Sequence, residues 1–427
     1  MTPSPIEHLT PEQIEELGRE LDEIRASVMD SLGEKDAQYI RRMITAQRYL
    51  EIGGRAALFF SGNPVAWVAG TAALSASKIL DNMEVGHNII HGQWDWMRDP
   101  KIHSSTWEWD NVTPAEHWKN SHNKVHHTYT NVVGHDNDLG YGIMRVDDAQ
   151  KWYPAYLAQP LLNFVNATFF EYGIAAYDLE LGANWKTRKD NPQWQAEAKQ
   201  VVNKIKKQAA KDYLLFPLLS GPNFLSTLAA NVVSNIVRNY WTHSVIMCGH
   251  FPAGVKTFTK TSIDGETRGE WYLRQMLGSA NISGSKAMHI ATGNLSYQIE
   301  HHLFPDMPSR RYQEIAPRIQ ALFDRYGLDY VTGPLHRQVG SAWSEIIRLS
   351  LPNDTSLRQT VHILRTKGMK GLKARARMNE EGNDESHFLA PLEEVVARGT
   401  TSAEELVRLY DTQWDRSMAK VFAHLAY

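Results

Sequence analysis

Cysteine is almost missing: Cys248 is the single one in 427 residues. That excludes an intramolecular disulfide, a thiolate zinc finger and a cysteine-held iron–sulfur cluster, and it fits a reducing compartment. Charge of one sign is also lacking. Lysine and arginine number 45 against 48 acidic residues, so no global field points to nucleic acid. The opening stretch MTPSPIEHLTPEQIEELG is acidic and polar, unlike a secretory signal peptide. No G-x-G-x-x-G stands between a strand and a helix, and no HPGG haem motif, nucleophile elbow or P-loop occurs. Any redox chemistry would therefore draw its electrons from a separate protein.

Histidine is what the chain has instead, with 18 residues. They concentrate in HNIIH (His87, His91), HNKVHH (His122, His126, His127) and QIEHH (His301, His302, preceded by Gln298), with a lone His250 in CGHFP. Imidazole without thiolate suits iron, zinc, copper or nickel. His87 and His91 are four apart, as are His122 and His126, so each pair lies on one helix face. His127 and His302 sit beside their neighbours and point about 100° away, toward a second ion. Glu84, three residues before His87, reads either as a carboxylate orienting an imidazole N–H or as an interfacial charge facing water.

Long apolar runs are few, and mean hydropathy is only −0.42. Residues 56–77, 152–170 and 213–237 nevertheless carry no charge, and each approaches or exceeds the ~20 residues a membrane-crossing helix needs. Gly62-Asn63-Pro64 and Gly221-Pro222-Asn223 interrupt the first and third, which predicts two helical hairpins entering and leaving on one side. His87 then follows one hairpin and His250 ends the other, so both emerge at the same face. The stretch 182–212 holds Lys186, Arg188, Lys189, Lys199, Lys204, Lys206, Lys207 and Lys211, a cytoplasmic signature. Residues 152–170 then read as an interfacial or re-entrant helix with Trp152, Tyr153 and Tyr156 at headgroup level.

The expected fold is all-α: a membrane bundle of about four embedded helices in two hairpins, under a cytosolic histidine cap. Residues 1–42 form an amphipathic cytosolic helix. Thr10, Pro11 and Gln13 start it as a capping box, and Ile14, Leu17, Leu21, Ile24 and Val28 make a stripe that packs on the protein. Residues 43–350 form the main domain and 351–427 a polar tail. Asn231, Asn235, Asn239 and His243 repeat at four and face the bundle interior, with His243 a further candidate ligand. Trp94, Trp96, Trp107, Trp109 and Trp118 read first as an interfacial belt and second as packing around the metal. Arg365, Lys367, Lys370, Lys373, Arg375 and Arg377 form a basic run, either a solvated face or a site for anionic lipid or an acidic redox partner.

The boxes in this order, and the stretches HNIIHGQWDWMRDP, HSSTWEWD, HNKVHHTYTN and GNLSYQIEHHLFPDMPSRR, resemble the integral-membrane fatty acid desaturase superfamily, in particular its actinobacterial stearoyl-CoA Δ9 branch. The resemblance covers about residues 10–350. It implies a non-haem di-iron centre that uses O2 and two external electrons to take two hydrogens from an acyl chain, palmitoyl- or stearoyl-CoA or an acyl-lipid. Its ligands would be His87, His91, His122, His126, His127, His250, His301 and His302. Gln298 departs from the animal acyl-CoA enzymes, which have histidine there, and is either a weak ligand or a hydrogen-bond partner. The electron donor would be an NADPH-dependent flavin reductase, with or without a ferredoxin. The resemblance also implies a multi-pass protein of the cell membrane with boxes and termini cytoplasmic. Arg310 and Arg311 would meet headgroup phosphates or else stay as solvated charge. Two rivals remain: a hydroxylase or alkane monooxygenase on the same scaffold, and a metal-binding membrane protein without catalysis, which would put its ligands inside the spanning segments.

Overall fold

The computed structural model describes residues 6, 8–136, 138–179 and 190–377. Its longer helices are α1 (Pro11–Met29), α2 (Glu34–Leu58), α3 (Pro64–Leu80), α4 (Gln159–Thr168), α5 (Phe170–Asp178) and α6 (Pro192–Ala209). They continue as α7 (Phe224–His250), α8 (Arg268–Leu277), α9 (Gln298–Leu303), α10 (Tyr312–Arg325), α11 (Leu335–Ser350) and α12 (Leu357–Arg377). The described β-structure is a parallel pair of three-residue strands, Asn281–Ser283 and Thr332–Pro334. The protein is therefore all-helical in character.

Local chemistry sets the helix ends. Thr10 Oγ1 accepts from Gln13 N at 3.3 Å while Gln13 Oε1 accepts from Thr10 N at 2.9 Å, the reciprocal box expected of that sequence. The stripe Ile14, Leu17, Leu21, Ile24 and Val28 is buried against α8, α9 and α10. Asn63 Oδ1 accepts from Val65 N and Ala66 N and so starts α3 with Pro64 in its first turn, which turns α2 and α3 into a hairpin. A second turn at Gly221–Asn223 leads into the 27-residue α7. Both hairpins stand where the breakers in the sequence put them.

Among the described residues no helix is long and apolar enough to cross a membrane. The hairpins instead leave large apolar side chains uncovered, including Phe60, Val65 and Val68 on one and Leu218, Leu219 and Leu225 on the other. Between the hairpins lies a buried ionic network. Lys78 Nζ donates to Asp212 at 2.8 Å and to Asp110 at 3.0 Å, Arg55 pairs with Asp212 at 2.8 Å, and Lys211 pairs with Asp110 at 2.5 Å. The asparagine stripe faces inward as expected. Asn231 and Asn235 bond to this network, and Asn239 donates to Thr168 O.

Three expectations need correction. Trp152, Tyr153 and Tyr156 are not at an exposed interface. They are buried against Leu372 and Ala376 of α12, and Trp152 Nε1 donates to Ser350 O. The start of the polar tail is thus a packed helix, kinked at Gly368, that carries the basic run from Arg365 to Arg377. Residues 378–427 lie outside the described residues, as do Lys186, Arg188 and Lys189. Trp94, Trp109 and Trp118 are buried too rather than set in a belt: Trp118 stacks 4.2 Å from the His122 ring, Trp109 packs on Trp118, and Trp94 packs beside Tyr39 and Ile40. Arg310 and Arg311 face no open site. Arg311 pairs with Asp36 through two contacts of 2.8 and 2.9 Å, and Arg310 donates to Lys35 O, which ties the start of α2 to the segment before α10.

Candidate metal centre

The histidines meet at one end of the bundle. α3 runs on into a π-helical segment, Asp81–His87, and the second box lies on another, Lys119–His126. Such wider turns are concentrated at functional sites, because they re-aim side chains. Here His127 N donates to His122 O at 3.1 Å, an i to i+5 bond. The α-helical estimate of where His127 points therefore does not hold. The widened turn sends His122 to one group of histidines and His126 to another, and leaves His127 between them.

His87, His91, His122 and His301 form the first group, and His126, His250 and His302 the second; within each, the ligand nitrogens lie within 4.8 Å of one another. The His127 ring stacks on His302 with centroids 4.5 Å apart and sits 4.8 Å from both His91 and His301. Adjacent His301 and His302 thus face different groups from one short helix. Gln298, one turn before His302, places Nε2 3.1 Å from both His250 Nε2 and His302 Nε2, while its Oε1 is buried without a partner. Gly249 makes room for it, since a Cβ there would stand 2.8 Å from Gln298 Cγ.

A set of partners behind the rings fixes their orientation. His122 Nδ1 meets Asp138 at 2.6 Å and His126 Nδ1 meets Asp136 at 2.9 Å. His87 Nδ1 lies 2.9 Å from Asn88 Oδ1, His250 Nδ1 3.1 Å from Asn131 Oδ1, His302 Nδ1 3.1 Å from Thr130 Oγ1, and His301 Nδ1 3.2 Å from Tyr312 Oη. With Nδ1 engaged, Nε2 is the nitrogen left to face the centre. Burial pushes His87 down to about 4 and His250 to about 3. His91, His122, His127, His301 and His302 are pushed well below the usual range by burial, and further by neighbouring rings. His126 is the exception: burial lowers it, but Asp136 and Asp138 outweigh that and raise it.

The seven rings other than His126 are therefore uncharged near neutral pH, with lone pairs available. Nε2 of His91, His122 and His301 and both nitrogens of His127 are buried with no hydrogen-bond partner among the described residues. Each such orphan costs about 1–3 kcal/mol, and a cation at the centre of each group would remove that cost. The donor set fits metal ions, and the paired carboxylates behind His122 and His126 are the usual support for a ligating imidazole. Sequence reasoning missed Asn88, Asp136, Asp138, Asn131, Thr130 and Tyr312. The one local signal was acidic GHDND at 134–138, shortly beyond the second box.

Two further candidates lie elsewhere. His243 Nε2 meets Asn163 Oδ1 at 3.0 Å, away from both groups, because it stands two helical turns before His250 on α7. Glu84 bonds no histidine and faces no water. It is fully buried and accepts from Tyr39 Oη at 2.8 Å, Ser309 Oγ at 2.9 Å and Asn294 Nδ2 at 2.9 Å. Burial raises its carboxyl to about 7 against those three donors.

A cavity opens from the histidines between α5, α7 and the loop after the second box. His87, His122, His250 and Gln298 line one part of it, and Phe170, Ile174, Ile246 and Leu295 make an apolar wall.

Residues 62–334 match the family described as fatty acid desaturase. The "NADPH-dependent stearoyl-CoA 9-desaturase" of Mycobacterium tuberculosis is 49% identical over 350 residues, covering 81% of this chain and 82% of that protein. The "sn-1 linoleoyl-lipid 6-desaturase" of Synechocystis sp. is 24% identical over 272 residues, 62% of this chain and 75% of its own length. "Fatty acid desaturase 3" of Bos taurus is 26% identical over 52% of this chain and 47% of its own. No solved structure matches. The chain belongs to the fatty acid desaturase family.

Proposed function

We propose that this protein is an O2-dependent acyl-CoA desaturase that places a cis double bond at the ninth carbon of stearoyl or palmitoyl chains. The observation that carries the reading is the junction of two buried imidazole groups with a slot walled by apolar side chains. The name of the Mycobacterium tuberculosis relative supports the substrate, the position and NADPH as the electron source. His87, His91, His122 and His301 would hold one iron and His126, His250 and His302 the other, with His127 between and Gln298 beside the second. When bound, the irons supply the means to reduce O2 with two external electrons and two protons as two hydrogens leave adjacent methylenes, giving an alkene and two waters.

The protein's own residues do the rest. Phe170, Ile174, Ile246 and Leu295 hold the acyl chain against the ligand rings and exclude water, which suppresses side reactions. Asp178 also lines the slot; burial pushes it up to about 8, so it stands uncharged beside the chain at neutral pH. Asp136 and Asp138 keep the rings of His126 and His122 in register with the centre.

The apolar hairpin tips, with Phe60 70%, Val65 77% and Leu225 75% exposed, support embedding in the cell membrane with the histidine end and both termini cytoplasmic. The basic face of α12 suits anionic lipid headgroups. Electrons come from a separate NADPH-dependent flavin reductase, directly or through a ferredoxin. The test is gas chromatography–mass spectrometry of lipids from a desaturase-deficient host expressing the chain with such a reductase, beside His301→Ala. New monoenes that disappear in the variant are expected. Hydroxylated chains would move the assignment to a hydroxylase, and no product with iron and reductant present would sink the catalytic reading.

A further inference from the structure

The slot has a second end. Along α7, His250 and Ile246 line it and His243 stands just behind it, about 10 Å from His250 by the helical rise. At that end Tyr141, Phe170 and His243 close on one another. Ring centroids are 5.6 Å apart for Tyr141 and Phe170, 5.2 Å for Phe170 and His243, and 6.3 Å for Tyr141 and His243. Phe170 and His243 are both 2% exposed. Among the described residues no lysine or arginine lines the slot, so the phosphates of an acyl-CoA stay outside it and the chain enters with its methyl terminus innermost.

What aims Tyr141 is unusual backbone. Gly140, Tyr141 and Gly142 follow one another at φ 75°, 51° and 62°. Glycine takes that conformation freely, but a tyrosine does so at a cost that tends to be retained where position matters. Gly140 also has no room for a side chain, since a Cβ would lie 2.6 Å from Val146 Cγ1. The flanking glycines hold a left-handed turn whose one large side chain is driven into the slot. Its hydroxyl is buried, near Asp138 and Asp136, and has no hydrogen-bond partner among the described residues. The ring itself is what the turn delivers.

We infer that Tyr141 is the end wall for the methyl terminus of the acyl chain, and so limits the chain length this protein accepts. The inference rests on the acyl reading above and adds the residue that meters the substrate. Tyr141→Gly keeps the left-handed turn without strain and opens the end, whereas Tyr141→Trp fills it. The two should move preference in opposite directions, which general loosening of the fold would not do.

The experiment measures binding of myristoyl-, palmitoyl-, stearoyl- and arachidoyl-CoA to purified wild type and both variants by ligand-induced shift of the melting temperature. Monoene profiles from the same proteins in cells are collected in parallel. Tyr141→Gly should raise arachidoyl- relative to stearoyl-CoA affinity by about tenfold or more, and Tyr141→Trp should lower stearoyl- relative to myristoyl-CoA affinity by about as much. Folded variants that keep the wild-type preference, or that shift the same way, overturn the assignment. Binding needs no turnover, so a wild type that discriminates chain length yet makes no monoene separates failure of the desaturase reading from failure of this one. A wild type that binds none of the four acyl-CoAs overturns the end-wall assignment.

Discussion

Two buried polar regions lie within the same bundle, and they are built on opposite terms. In the ionic network, Arg55, Lys78 and Lys211 face Asp110 and Asp212, so cations and carboxylates neutralise one another. In the histidine cluster every member is the same kind of group, and ring nitrogens of His91, His122, His127 and His301 are left without partners. Buried polar atoms are ordinarily satisfied. The ionic region pairs its charges and leaves only the Arg55 Nε donor open, so the fold explains it, whereas a region that leaves a set of lone pairs open asks for a ligand the chain does not contain. Burial alone would have ranked the two regions together; the account of partners separates them.

The sharpest way to break that contrast is to remove one member from each side. His302→Ala should weaken metal binding in the second group by more than about a hundredfold, beyond what loss of a supporting partner costs. Iron per chain should fall and desaturation should drop to background, and the metal-free variant should lose about 1–3 kcal/mol because a fully buried, hydrogen-bonded ring is removed. Full iron content in the variant would show that the second group is not a binding site. Lys78→Met should do the reverse. It strips Asp212 and Asp110 of a shared cation, and breaking a buried pair costs about 3–5 kcal/mol. Arg55 and Lys211 remain, so the low end is expected, read as a lowered midpoint in chemical denaturation. Folded Lys78→Met should still bind iron normally.

A smaller change tests the seam between the regions of the site itself. Asp138 holds no ion in this reading but sets the His122 ring, at 2.6 Å. Asp138→Asn should reduce metal affinity about tenfold to a hundredfold with little change in stability. Unchanged iron affinity by competition with a chelator would make Asp138 a merely structural neighbour.

How much of this was legible beforehand follows from the same distinction. That these histidines gather at one place was legible because residue type and local spacing carry the signal. So were the Thr10 capping box and the hairpin turns at Asn63 and Gly221, which depend on neighbours a few residues away. What was not legible depended on distant partners. Trp152 and Tyr156 have the same amphipathic look whether lipid or α12 covers them, and α12 lies some two hundred residues further on. Arg311 reads as a free charge until Asp36, 275 residues away in sequence, is brought beside it. His127 was misplaced for a different reason: an α-helical period was applied to a π-helical turn.

Glu84 offers the finest test, because it belongs to neither class. It is as buried as Asp212 and fully hydrogen-bonded, but its partners Tyr39, Asn294 and Ser309 are all neutral. Those donors offset only part of the cost of ionising it, and burial raises it to about 7, as it does Glu300 beside Asn281 and Tyr330. The sign is definite. Below the ordinary glutamate pKa of about 4.3 both folded and unfolded chains carry the proton, and the native state suffers no penalty. Between there and about 7 the unfolded chain ionises while the folded one does not, so stability falls as pH rises, by at most about 1.4 kcal/mol per pH unit for each group. Glu84→Gln keeps the side chain neutral, and the Asn294 amide can turn to accept from it. The variant should lose part of that slope and be relatively more stable at pH 7 than at pH 5, measured by denaturation midpoints of the metal-free protein. An unchanged slope would mean that Glu84 is ionised in the folded protein, and that a cation must reach it after all.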